Sequence, residues 1–456
     1  MTNDTIARNR LGLGAKADES PPPDPRRWLL AQLEDYEPAP VQWRAVQRTS
    51  TRMKEWLEQR MVLQKAAEEQ RIEIRKTYLQ KGRAAYLSGI QARVHSAMQS
   101  RTPFVERLTH FWSNHFAVSV DKLPVMGFAA SFEADAIRPH VLGRFEDLLI
   151  AAVRHPAMLI FLDQTTSMGP NSVVGRRASE RGAPGRPAKG LNENLAREIL
   201  ELHTLGVRSG YNQADILELA RALTGWTLPR LEPTGWAEQT FWFRADLHEP
   251  GTRQVLGRSY VDEGELQACK ILGDVARAPA TAIHIAIKLA RHFVADDPPK
   301  ALVRRLAENF QKTDGDLPSL YRELLASSDT WRPELVKFKS PWDWAISGMR
   351  ALDLNDISAA RINQLMSQLG QTVWRPETPA GYGDVTATWA APDALLRRVK
   401  VAQRLATLVG DKRDARTIAP RVLPNLSQAT ANAIASAESS INAIALLLAS
   451  PEFLRR

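Results

Sequence analysis

Apolar residues return at helical spacing in one segment after another of this 456-residue chain, and that recurrence points to a packing of helices. The pattern runs through RRWLLAQLEDY, PFVERLTHFWSNHF at 103–116, FEADAIRPHVLGRFEDLLIAAVRHPAMLIFLD, LNENLAREILELHTLGV at 191–207, NQADILELARALTGW and PATAIHIAIKLARHFVADDPP. Between Val41 and Met98 the chain is rich in Arg, Lys, Glu, Gln and Ala and has no proline after Pro40, yet its apolar residues are too irregular for heptads. This predicts a solvated helical hairpin, not a coiled coil. Only 229–262, with EQTFWFRADLHEPGTRQVLGRSYV, alternates as strands do, which predicts a small β-hairpin.

The expected fold is mainly α: a multi-helical globular protein with a small β-hairpin insertion and long irregular loops. Its expected organisation is an N-terminal arm and charged helical hairpin over 1–100 and a central helical core over 101–228 with a basic loop at 164–190. The β insertion over 229–262 and a C-terminal helical region over 263–456, packed on the core, complete it. The loop, with GPNSVVGRRASERGAPGRPAKG, is crowded with Gly, Pro and Arg and reads as a mobile linker or lid.

Composition narrows the functional classes. With 44% hydrophobic and 24% charged residues the chain can bury a sizeable core. A net charge of +9 favours acidic polymers or anionic surfaces without identifying one. The single cysteine, Cys269, excludes an intrachain disulfide framework and multi-cysteine metal sites. No apolar run has membrane-spanning length, and the N-terminus lacks a signal-type apolar stretch. A cytoplasmic location follows, with export in complex with a signal-bearing partner left open.

No phosphate loop, dinucleotide fingerprint or GxSxG elbow is present, and His248-Glu249 lacks the second histidine of HExxH because position 252 is Thr. A site must therefore be assembled from dispersed residues, and three clusters offer them. In PFVERLTHFWSNHF, helical spacing sets His115 on a buried stripe with Phe104, Leu108 and Phe111, while Glu106, His110 and Asn114 take the other face. A lone histidine on an apolar face is most often a core residue bonded to backbone. In 191–207, Glu193, Asn194, Arg197, Glu198 and Glu201 share one arc and His203 falls in the apolar arc, with Asn192 as N-cap and Gly206 as the stop. Glu198 and Glu201 have a spacing that suits acid–base work or a shared divalent ion, but the Glu-x-x-His of helical metal sites is missing. The bland alternative is a solvated face of i,i+4 ion pairs. Two asparagines in so short a helix instead predict burial of Asn194, Arg197, Glu198 and Glu201. The third cluster, His248, Glu249 and Arg253, lies in a turn after a strand.

FWSNHF at 111–116, GLNENLAREILELHTLGV at 190–207, Tyr211 with Gln213, ARALTGWT at 220–227 and the closing LLASPEFLRR resemble the bacterial family called domain of unknown function 1800. The resemblance runs from RLGLGAK onward. It implies a helical fold and no assigned reaction, and it sets the family motifs on Trp112, Asn114, His115, Asn192, Glu193, Asn194, Arg197, Glu198, Glu201, Gly206, Thr224, Gly225, Trp226 and His248. His248-Glu249 and Arg253 stand where the family often has His-Asp and a following lysine. Members are often encoded beside proteins of the family called domain of unknown function 1501, which resemble sulfatases.

Two readings follow. In one, the chain is a scaffold with a buried polar centre that partners such a sulfatase-like protein. In the other, it is an enzyme of hydrolytic or transfer chemistry on an anionic or carbohydrate-like substrate. Its catalytic candidates are His115, Glu198, Glu201 and His248, and its binding candidates are Asn194, Arg197, Trp112, Asn114 and Trp226. Cofactor and metal requirements are unknown from the sequence. The absence of aromatics from the basic loop argues against a third reading, nonspecific nucleic-acid binding.

Overall fold

The computed structural model describes residues 1–180, 190–230 and 239–456. Helices form nearly all of its regular structure, and among the described residues the strands are limited to two short antiparallel pairs. None of the described helices is long and apolar enough to cross a membrane.

Two antiparallel helices, α1 (Thr49–Lys65) and α2 (Glu68–Gln99), form the charged hairpin, turning through extended Ala66 and Ala67. No residue from 58 to 81 is buried, so the tip touches little beyond itself. From Gly82 onward α2 enters the protein. At Gly89 a Cβ would lie 2.3 Å from the Ala130 Cβ and 3.1 Å from the Trp374 ring, so glycine permits the close approach that seats this tryptophan.

Buried apolar side chains form two clusters. One draws on residues from Ile6 to Trp331; the other joins Leu13, Trp43 and the inner half of α2 to residues 342–453. The seam between them is lined by α3 (Pro103–His115), α5 (Pro279–Phe293) and α6 (Pro341–Leu352), each opened by proline in its first turn, where the missing N–H costs nothing. The motif helix, α4 (Asn194–Glu198), lies against the first cluster and continues as a π-helical turn, Ile199–His203.

The β insertion consists of two hairpins. Strand β1 (Trp226–Thr227) pairs with β2 (Trp242–Phe243), and β3 (Arg253–Val255) pairs with β4 (Arg258–Tyr260). Leu256 and Gly257, both at positive φ, make the two-residue turn whose twist matches the β3 and β4 strands.

Three expectations need correction. Helix α3 has no solvent face: Glu106 and His110 are as buried as the apolar stripe opposite. Arg138 makes this tolerable, donating Nη1 and Nη2 to the two Glu106 carboxylate oxygens at 2.9 and 2.8 Å while stacking over Trp43. The arc of α4 is not buried either. Asn194 is exposed and Arg197, Glu198 and Glu201 are half-buried, because Arg197 satisfies Glu193 and Glu201 at 2.7 and 3.4 Å across the surface. Its asparagines serve the helix start, where Asn192 Oδ1 accepts the Asn194 N–H at 2.9 Å. Finally, the first half of the basic loop is ordered. Val173–Glu180 is a helix, and Asn171 docks onto Glu249 through its backbone N–H (2.8 Å) and side-chain amide (2.6 Å). Residues 181–189 of that loop lie outside the described residues.

The two kinds of ion pair predict different sensitivities. Glu106→Gln strands the Arg138 charge in the core and is expected to cost about 3–5 kcal/mol in chemical denaturation. Glu68→Gln, at the exposed pair with Arg71 on the hairpin, is expected to cost well under ~1 kcal/mol.

Candidate functional site

At the seam the chain forms a partly open cavity of about 360 Å³. Its wall combines α3 (Arg107, His110, Asn114, His115), α5 (Lys288, Arg291, His292), the start of α6 (Trp342, Asp343) and the irregular segment 371–385. That segment is pinned to α3 by a two-way clamp, in which Asn114 Nδ2 donates to the Tyr382 carbonyl (2.9 Å) and Tyr382 N–H donates to Asn114 Oδ1 (2.8 Å). Gly381, at φ +78°, makes room for it: a Cβ there would lie 2.3 Å from the Asn114 carbonyl oxygen.

Trp374 sits at φ +50°, a strained conformation for a bulky residue. Its indole N–H donates to Glu133 Oε2 at 3.0 Å, and its carbonyl accepts from Val120 at 2.9 Å. Ser113 and Arg93 also engage that carboxylate oxygen, at 2.8 and 3.1 Å, and the Arg93 guanidinium lies between Trp342 and Trp374. These fixed bonds hold the aromatic side of the wall.

On the opposite side, α5 turns a polar stripe inward. His284, Lys288 and His292 follow one another at i+4, while Ile285, Leu289 and Phe293 pack into the core. His292 Nδ1 lies 2.7 Å from Asp384 Oδ2, and its buried Nε2 has no hydrogen-bond partner. Lys337 reaches Asp384 Oδ1 at 3.4 Å and Asp296 at 2.8 Å. Burial alone would raise the Asp384 carboxyl, but His292, Lys337 and Arg456 outweigh it and hold the group well below the usual carboxylate range. Burial pushes the His292 imidazole down despite Asp384. The pair is therefore a neutral histidine donating to an ionised aspartate. Asp343, paired with Arg107 at 2.8 Å and Arg456 at 3.2 Å, is held low in the same way against its own burial.

Of the catalytic and binding candidates read from sequence, the cavity gathers Asn114 and His115, together with His110 of the same cluster. Trp112 stands behind them, wholly buried, its indole N–H donating to the Tyr321 hydroxyl at 2.7 Å. Asn194, Arg197, Glu198 and Glu201 are not in the wall, although burial and then Glu201 push the Glu198 carboxyl upward. His248 lies in the β insertion, with Nδ1 on the Thr224 carbonyl at 2.9 Å, and Trp226 packs edge-on to Phe241 beneath Arg154. The motif helix reaches the site through its backbone. His115 Nε2 donates to the His203 carbonyl (3.0 Å) and His284 Nε2 to the Leu202 carbonyl (3.1 Å), satisfying acceptors at the end of the π-helical turn. Sequence reasoning missed Lys288, Arg291, His292 and Asp384. The spacing of His284, Lys288 and His292 was the available signal, while Asp384 lies in a stretch without periodicity. Among the described residues no group of three or more His, Cys, Asp or Glu side chains is placed to hold a metal ion.

A helical protein with a charged cavity between two apolar cores is thus the class this structure defines. A match to the family described as protein of unknown function (DUF1800) runs from residue 6 to residue 455, and the chain belongs to that family. Comparisons with curated proteins and with solved structures returned no match.

The histidines behind the cavity couple stability to pH. Burial, then Lys288, pushes His203 down to about 3 and His284 down to about 4, so both are neutral in the fold where an unfolded histidine begins to bind a proton near pH 6.5. Their depressed values give stability that is full above about pH 6.5 and lost as pH falls toward about 4, at about 1.4 kcal/mol per unit for each group. Denaturation between pH 7.5 and 4.5 is expected to show this slope, and His203→Leu to remove one group's share.

Proposed function

We propose that the protein is an enzyme that carries out hydrolytic or transfer chemistry on a small molecule held in this cavity. The supporting observation is the His292–Asp384 pair, with a 2.7 Å contact and a buried, unpartnered Nε2 in the cavity wall. In the neutral imidazole, Nδ1–H donates to Asp384 and Nε2 keeps its lone pair. That nitrogen is suited to take a proton from a water or hydroxyl nucleophile, with Asp384 stabilising the imidazolium that results. Asp384 stays ionised because Lys337 and Arg456 face it. The volume of 360 Å³ is near the lower end of ligand pockets, about 300–1,000 Å³, which favours a substrate of a few rings at most. In this reading Asn114 fixes the wall, His115 borders the ligand, and Glu198, Glu201 and His248 support the surrounding elements.

The charged hairpin favours a second reading, as scaffold or partner of a sulfatase-like protein. Met61, Val62, Ile72 and Leu79 are exposed near its tip, on helices that add no core of their own there.

Turnover assays on ester, amide, phosphoester, sulfate-ester and glycoside substrates separate the two. The enzyme reading predicts a turnover that His292→Gln and Asp384→Asn each reduce by roughly 100-fold or more, without loss of the folded state in denaturation. Turnover retained by both variants contradicts it. No turnover in any class, with hairpin-dependent co-purification of the sulfatase-like protein, supports the partner reading.

A further inference from the structure

The cavity wall contains four cationic side chains, Arg93, Arg107, Lys288 and Arg291, against two carboxylates, Asp343 and Asp384. Arg93 is paired with Glu133 and Arg107 with Asp343. The wall carboxylates are committed as well: Asp343 faces Arg107 and Arg456, and Asp384 faces His292 and Lys337. Asp296, just outside, takes Lys337 and the Thr386 N–H, at 2.8 and 2.7 Å. Among the described residues this leaves Lys288 with neither an ion pair nor a hydrogen bond, and Arg291 with one bond, Nε–H to the Asp296 carbonyl at 3.0 Å. A half-buried ammonium with no carboxylate at ion-pair distance is costly, and burial pushes Lys288 down to about 8 although the Asp384 charge acts the other way. A protein that neutralises its other wall cations yet leaves these two, one turn apart on α5 and beside His292, has the charge pattern of an anion-binding site.

We propose that Lys288 and Arg291 bind an oxyanion carrying two negative charges, of which a phosphate monoester is the simplest example, as the recognition group of the ligand. The two cations supply a point charge and a guanidinium fork whose Nη donors are uncommitted. His292, the next residue, then faces the bond adjoining the anionic group. This assignment rests on the enzyme reading for the role of His292, but the anion site itself stands on the charge pattern.

The test is isothermal titration of the full-length protein with inorganic phosphate, sulfate and acetate at constant ionic strength. Wild type is expected to bind one phosphate saturably, sulfate comparably and acetate more weakly. Lys288→Met and Arg291→Met should each weaken phosphate at least tenfold, while Lys300→Met, at an exposed position, should leave it within twofold. Lys288→Met removes a half-buried charge that has no ion-pair partner and is expected to be at least as resistant to denaturant as wild type, so its loss of binding would not be a folding defect. His292→Gln should keep phosphate binding. Absence of saturable binding to wild type, acetate binding as tightly as phosphate, or unchanged binding in Lys288→Met and Arg291→Met each overturns the proposal. A dyad that fails the turnover assay leaves the anion site standing, and an anion site that fails here leaves the dyad standing.

Discussion

Charge buried at a seam between two apolar clusters has to be paired, and much of this molecule is arranged to meet that requirement. Glu106 and Arg138, Glu133 and Arg93, and Asp343 with Arg107 and Arg456 join elements that are far apart in the chain. Each pair has a large desolvation cost, so it contributes more to register than to net stability, and its partners are strongly interdependent. Segment 371–385, which has almost no regular structure, is fixed in this way through Trp374, Tyr382 and Asp384. Rigid helices then present side chains to a cavity bordered by an irregular segment that hydrogen bonds hold in place, an arrangement suited to holding a small ligand.

Within that framework the motif helix has an indirect part. Its charged arc is surface, stabilised by short-range pairs around Arg197, while its apolar arc packs beneath the site. The π-helical turn after Glu198 directs two carbonyls toward His115 and His284, so the helix end fixes the orientation of one cavity residue and one residue behind it. His115 and His292, each with one buried ring nitrogen without a hydrogen-bond partner, both line the cavity.

Helical periodicity carried the architecture because it is local. The α3 stripe of Phe104, Leu108, Phe111 and His115 and the uninterrupted hairpin before residue 100 both depend on near neighbours. Asn114 and His115 stood out as polar side chains beside an apolar stripe. His292 and Asp384 did not, because they are 92 positions apart and only tertiary packing brings them together. Glu106 and His110 were misplaced on a solvent face for the same reason, since their partners, Arg138 and Trp342, belong to different elements. On α4 it is the expected burial of the charged arc that fails: Glu193 and Glu201 share Arg197 across the surface, a cheap arrangement that a dense charged pattern does not distinguish from a buried network.

The proposed chemistry depends most on the protonation of one ring. Long-range ¹H–¹⁵N correlation of the histidine side chains at pH 7, assigned to His292 by comparison with His292→Gln, reads that state directly. A neutral ring protonated at Nδ1, with Nε2 as the bare nitrogen and a change on Asp384→Asn, is the predicted result. An Nε2–H tautomer, or an imidazolium that persists at pH 7, would contradict the general-base role and with it the reading of the cavity as an active site.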